Sequence, residues 1–128
     1  MRALSSYDYV LIRVVPNVER GECLNVGVLL FCRTLGFLGV RTHLDRARVL
    51  ALAHDFDLAA VQQQLDAIVR ICKGGPEAGP LGQMSQSERF HWLVSPRSTI
   101  IQTSQVHSGL SADPEAALEH LLKTMVYR

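Results

Sequence analysis

The chain has 128 residues, 48% of them hydrophobic, and 13 basic residues against 12 acidic ones leave a formal net charge of +1. That length matches one domain, which buries roughly two-thirds of its unfolded surface and needs neither metal nor disulfide to hold a core. The composition excludes disorder, and the charge balance lacks the clustered cations that a phosphate backbone demands, so nucleic-acid binding ranks last among the functions considered.

Tyr7–Val15 reads as a strand, with Val10, Ile12 and Val14 on one face. Pro16 and Asn17 end it, and Val18–Asn25 is expected as a loop. Val26–Arg33 is almost wholly apolar, the pattern of a central strand covered on both faces. A turn at Thr34–Gly36 returns the chain as a hairpin strand, Phe37–His43.

The middle of the chain reads as helical. Leu44–Ala53 makes a short helix. Asp57 caps a longer one whose Leu58, Val61, Leu65, Ile68, Val69 and Cys72 recur at helical spacing. Lys73-Gly74-Gly75-Pro76 is its stop signal. Gly74–Ser87, with its Gly, Pro, Ser and Gln residues, is expected as one long mobile loop. Phe90–Val94 is expected as a strand with Phe90, Trp92 and Val94 on one side, Trp92 packing in the core with Phe90. After Ser95–Pro96, Thr99–His107 reads as extended. A final helix starts at Asp113 as cap and Pro114 at its first position, with Leu118, Leu121, Leu122 and Met125 as its apolar stripe. The sum is an α+β fold in a single domain spanning the chain. About five strands form one mostly antiparallel sheet, and about three helices pack on one face of it.

Two polar segments stand out. In Glu19–Gly27, a solvated turn competes with a site in which Glu22 and Asn25 project beside the sheet and Gly27 admits a close approach. Arg13 interrupts an apolar strand nearby, so its guanidinium must reach water or a partner, and Glu19 or Glu22 is the expected carboxylate. In Ser95–Gly109 the period-two pattern fails, because neither face is cleanly apolar. That leaves an edge strand or the lining of a polar site. In the second reading Arg97 is an anion clamp, with Ser98, Thr99, Gln102, His107 and Ser108 completing the cradle.

Catalytic and metal motifs are scarce. Ser108 or Ser98 with His107 and Asp113, or Cys23 with His107, supplies the residue types for a nucleophile and base, yet no GxSxG elbow or P-loop occurs. His43, His54, His91, His107 and His120 show neither HxH nor HxxxH spacing, so no metal and no cofactor is expected. Cys23, Cys32 and Cys72 form no CxxC pair and suit reduced thiols. With no apolar stretch of signal-peptide length near the start, a cytoplasmic location is expected.

The strings YDYVLIRVVPNVERGECLNVGVLLFCR and RFHWLVSPRSTIIQTSQVHSGL, with the layout between them, resemble the bacterial domain of unknown function family DUF3037 over nearly the whole chain. The family brings no established activity. Its members are often encoded beside HipA-like kinase proteins, so the resemblance implies an accessory or regulatory partnership with such a kinase. Two functions are therefore weighed. One is a non-enzymatic module that recognises a protein partner. The other is an enzyme or sensor for a phosphorylated or carboxylated small molecule held at Arg97, which predicts one concave site uniting Arg13, Glu22, Asn25, Arg97, Ser98 and His107. A homodimer through an exposed strand edge stays open.

Overall fold

A computed structural model describes residues 3–17, 19–95 and 100–127. Its frame is a five-stranded antiparallel sheet: β1 (Ser5–Asn17), β2 (Glu22–Cys32), β3 (Phe37–Thr42), β4 (Ile101–Thr103) and β5 (His107–Ser111). The order is β3–β2–β1–β4, and β5 pairs with β1 on the same side as β4. Pairing of β2 with β1 extends as far as Asn17 opposite Glu22. The expected loop over Val18–Asn25 is thus shorter, because Glu22–Asn25 already belongs to the ladder. Asn17 organises that turn by accepting the Glu19 and Arg20 backbone N–H groups on Oδ1, at 3.0 and 3.3 Å.

Helices α1 (Arg46–Leu52), α2 (Leu58–Lys73), α3 (Gln86–Val94) and α4 (Pro114–Met125), plus a 3₁₀ segment at Pro76–Gln83, cover the sheet. They do so from both sides, not from one. Val10, Ile12, Val14, Leu29 and Phe31 form one core with Val49, Leu65, Phe90 and Leu93 of α1–α3. Leu11, Val28, Leu30 and Cys32 form a second core with Leu118, Leu121 and Leu122 of α4. The physical reason lies in β2: apolar side chains on both of its faces need a cover on each. Gly27 serves the strands and not a ligand, since a Cβ there would lie 2.9 Å from the Arg41 carbonyl oxygen.

Three further expectations are corrected. Phe90–Val94 lies within α3, not in a strand. Its start is a reciprocal capping box, the Glu88 N–H donating to Ser85 Oγ and the Ser85 N–H to Glu88 Oε1, both at 3.1 Å. Hydrogen bonding to the Glu88 carboxyl, from the Ser85 backbone N–H first and the Ser85 side chain second, lowers its pKa from the ordinary value. Helical spacing turns Phe90 and Leu93 inward, Phe90 against the ring of Phe31 at 5.2 Å, and leaves Trp92 38% exposed. Secondly, Gly74–Ser87 is largely ordered as the 3₁₀ segment and the cap of α3. Arg89 of α3, itself buried, holds it by donating from Nη1 to the Met84 carbonyl at 2.5 Å. Gly74 leaves room for that guanidinium, whose carbon would sit 3.0 Å from a Cβ.

The third correction concerns Thr99–His107, which is not one extended run. The outer partner of β1 breaks at Ser104, β4 running opposite Ile12–Val14 and β5 opposite Ser5–Tyr9. At the break, the Leu11 N–H donates to the Ser104 hydroxyl at 2.9 Å and the Ser104 N–H returns to the Leu11 carbonyl at 2.8 Å. A buried serine thus substitutes for a ladder carbonyl. Ser104→Ala leaves the buried Leu11 N–H without an acceptor, and urea unfolding is expected to show a loss of about 1–3 kcal/mol.

Candidate functional site

Arg13 stands opposite Asn25 on β2 and Gln102 on β4, so all three belong to one cross-strand row. The pairing shifts by one residue between Ile12 and Arg13, a bulge at Val26 that brings Asn25 into that row. Asn25 is the hinge of the local network. Its Oδ1 accepts the Arg13 Nε–H at 3.1 Å, while its Nδ2 donates to the Met125 carbonyl at 3.1 Å. The expected Arg13 ion pair with Glu19 or Glu22 is absent. Glu22 pairs with the neighbouring Arg20 instead, and Glu19 lies in the exposed turn.

Arg48 reaches the same place from α1, donating from Nη1 to the Val126 carbonyl at 3.4 Å. An amide and a guanidinium thus hold the last carbonyls of α4, where the helix leaves unpaired acceptors and a partial negative charge. Arg13, Asn25 and Arg48 line an open pocket of about 240 Å³ with Cys23, Leu24, Met125 and Val126. Among the described residues the lining holds two guanidinium groups and no carboxylate. The ion pairs among the described residues are Arg20–Glu22, Arg41–Glu115 and Arg41–Glu119, and none involves Arg13 or Arg48.

The predicted site residues do not form one cluster. Arg13 and Asn25 meet and Gln102 shares their row, but His107 and Ser108 lie opposite Tyr9 and Asp8. Glu22 lies opposite Asn17, and from Tyr9 to Asn17 the strand advances on the order of 26 Å. A single site containing both Glu22 and His107 is therefore ruled out. Arg97, Ser98 and Thr99 lie outside the described residues. The nucleophile sets do not assemble either: Ser108 donates to Asp8 at 2.8 Å, His107 stacks on Tyr9 at 5.3 Å, and the Asp113 carboxylate caps α4. Among the described residues, no three His, Cys, Asp or Glu side chains are grouped to hold a metal ion.

Sequence reasoning missed Arg48, and it missed a second pocket of about 300 Å³ where Asp8, Arg33, Ser87 and His91 come together. There the His91 Nδ1 lies 2.7 Å from the Ser87 carbonyl oxygen. A carbonyl only accepts, so Nδ1 carries the proton and Nε2 of the neutral ring is an acceptor. The signal for this pair was the i, i+4 spacing of Ser87 and His91, which a strand at Phe90–Val94 conceals.

The cysteines differ in environment. Cys23 is exposed at the Arg13 pocket, and Cys32 and Cys72 are buried. Burial pushes the Cys72 thiol from 9.0 to about 11, against the opposing pull of the Arg89 and Arg41 guanidinium groups. The unfolded chain therefore gives up this proton before the folded one does. The stabilisation is complete below pH 9 and is lost as pH rises toward 11, a fall of about 2–3 kcal/mol in unfolding free energy over that window. Iodoacetamide at pH 8 with mass-spectrometric mapping is expected to label Cys23 in the folded protein and to reach Cys72 only after unfolding.

Among the described residues, no helix is long and apolar enough to cross a membrane. No curated protein and no solved structure matches the chain. A family model described as "Protein of unknown function (DUF3037)" matches residues 9–126, nearly the whole chain, and the protein belongs to that family.

Proposed function

We propose that this protein is a non-enzymatic binding module that recognises a carboxylate or phosphate group, presented by a protein partner, in the pocket between Arg13 and Arg48. One observation carries the reading: two guanidinium groups line one concave site in which no described residue contributes a carboxylate. The end of α4 supplies only about half a negative charge against two positive ones, so the site keeps a cationic surplus. Planar guanidinium forks suit carboxylate and phosphate oxygens.

Size narrows the ligand. A pocket of about 240 Å³ falls below the roughly 300–1,000 Å³ typical of sites for whole small molecules. It suits a single acidic side chain or phosphoryl group of a larger partner. The HipA-like kinase implied by the family resemblance is the first partner to examine. The alternative, an enzyme or sensor for a free small molecule, would place its ligand's anionic group in the same pocket.

Isothermal titration with inorganic phosphate, with a short Glu-rich peptide and with its phosphoserine counterpart separates these readings. Binding of a peptide, weakened about 10- to 100-fold by either Arg13→Met or Arg48→Met, is the expected result, from the worth of one charge-assisted hydrogen bond. Affinity should also fall as salt rises from 50 to 500 mM, values that span a Debye length of roughly 14 to 4 Å. Equal affinity for free phosphate and for both peptides would favour the small-molecule reading. If both substitutions leave every affinity unchanged, the pocket is not the binding site.

A further inference from the structure

The two edges of the sheet are finished differently. At one edge, β3 carries Arg41, which donates from Nη1 to the Val40 carbonyl at 2.9 Å and pairs with Glu115 and Glu119 of α4. A charge held on an edge strand, folded back on a strand carbonyl, is a device that discourages further pairing.

The other edge has no such device. Strand β5 reads His107-Ser108-Gly109-Leu110-Ser111, without a Lys, Arg, Asp, Glu or Pro. It pairs with β1 along its whole length, and its backbone makes no hydrogen bond beyond that ladder among the described residues. Its outward N–H and C=O groups are therefore unpaired. Large apolar side chains gather beside them. Leu110 is 65% exposed, Leu4 just before β1 is 64% exposed, and Val106 just before β5 is 46% exposed. The register places Leu110 opposite Ser6, and Leu4 continues the same alternation, so the two share a face of the sheet.

We infer that β5 is the interface of a homodimer in which β5 pairs antiparallel with the β5 of a second copy and continues the sheet. Unpaired strand amides and carbonyls select a strand as occupant, since only a strand satisfies the whole row. The sequence of β5 is suited to its own copy. A twofold axis through Gly109 sets Leu110 beside Ser108 of the partner subunit and His107 beside Ser111 of the partner subunit. No like charges oppose each other in that register, and Leu110 of each copy comes diagonal to its equivalent. Gly109, on the axis, has no side chain of its own to clash, and each copy's Tyr7 ring fills the space where its Cβ would be. The interface is isologous and closes, so it stops at two copies. One short strand per copy places it at the weak end of specific interfaces, with a dissociation constant on the order of 10–100 μM.

Sedimentation equilibrium across that range tests the inference on the full chain. The wild type is expected to shift from monomer to dimer, and Leu110→Lys to remain a monomer. The lysine replaces an exposed side chain, so its far-UV CD and melting curve should match the wild type and exclude misfolding. Val69→Lys, at an exposed site on α2, is the control and should dimerise normally. Hydrogen exchange supplies the second readout: amides of His107–Ser111 should slow with rising concentration in the wild type alone. A wild type that stays monomeric overturns the inference. So does a dimer that survives Leu110→Lys with β5 amides unchanged by concentration, and so does a monomer whose β5 is protected only by a strand of another protein.

Discussion

The hydrogen bond from the buried Leu11 N–H to the Ser104 hydroxyl sets the shape of everything on the outer side of β1. Strand β1 is flanked by ladders on both sides and covered on both faces, so its polar groups need partners inside the protein. A serine oxygen serves where a carbonyl would otherwise stand, and the outer strand can then break without stranding a donor. Two short strands result. One, β4, carries Gln102 into the Arg13 row, and the other, β5, carries His107 and Ser108 to the far end. The polar face that a continuous strand would have unified is divided by that one contact.

Much of the scaffold was legible because its signals are local. Asp57 and Asp113 both accept from the backbone three residues on, as their sequence context implies, and β1 and the β2–β3 hairpin follow from alternation and a short turn. The region Gly74–Val94 was misread because two periods compete there. Phe90, Trp92 and Val94 alternate, yet Ser85 and Glu88 spell a capping box, and the end signal outweighs a three-residue alternation. The two-sided helix cover was also implied in the sequence. The apolar run Val26–Cys32 of β2 cannot leave one face to water, and among the described residues α4 is the helix that packs on its Val28 and Leu30 face.

The site was legible in part, and the missing part is tertiary. A lone Arg in an apolar strand announces a partner, but which one depends on the bulge at Val26. Without that extra residue, Asn25 would face the opposite side of the sheet, and a nearby carboxylate would be the natural guess. Glu22 instead meets Arg20, two residues away in the same turn. Arg48 carries no signal in the sequence, since its role comes from where α1 meets the end of α4, residues 78 apart in the chain.

The pocket at Arg13 and the open edge at β5 sit toward opposite ends of β1, with Arg13 facing β4 and Tyr7 facing β5. Between those residues the strand advances on the order of 20 Å, well beyond the range over which side-chain substitutions couple. The pocket's electrostatics is also screened within about a Debye length. Any communication between the two must therefore pass through β1 itself, which is buried, paired on both sides and held at its midpoint by Ser104. A strand so constrained transmits little displacement. The pocket and the open edge are consequently separable features of one scaffold, so the proposed anion binding and the proposed edge pairing can be tested independently of each other.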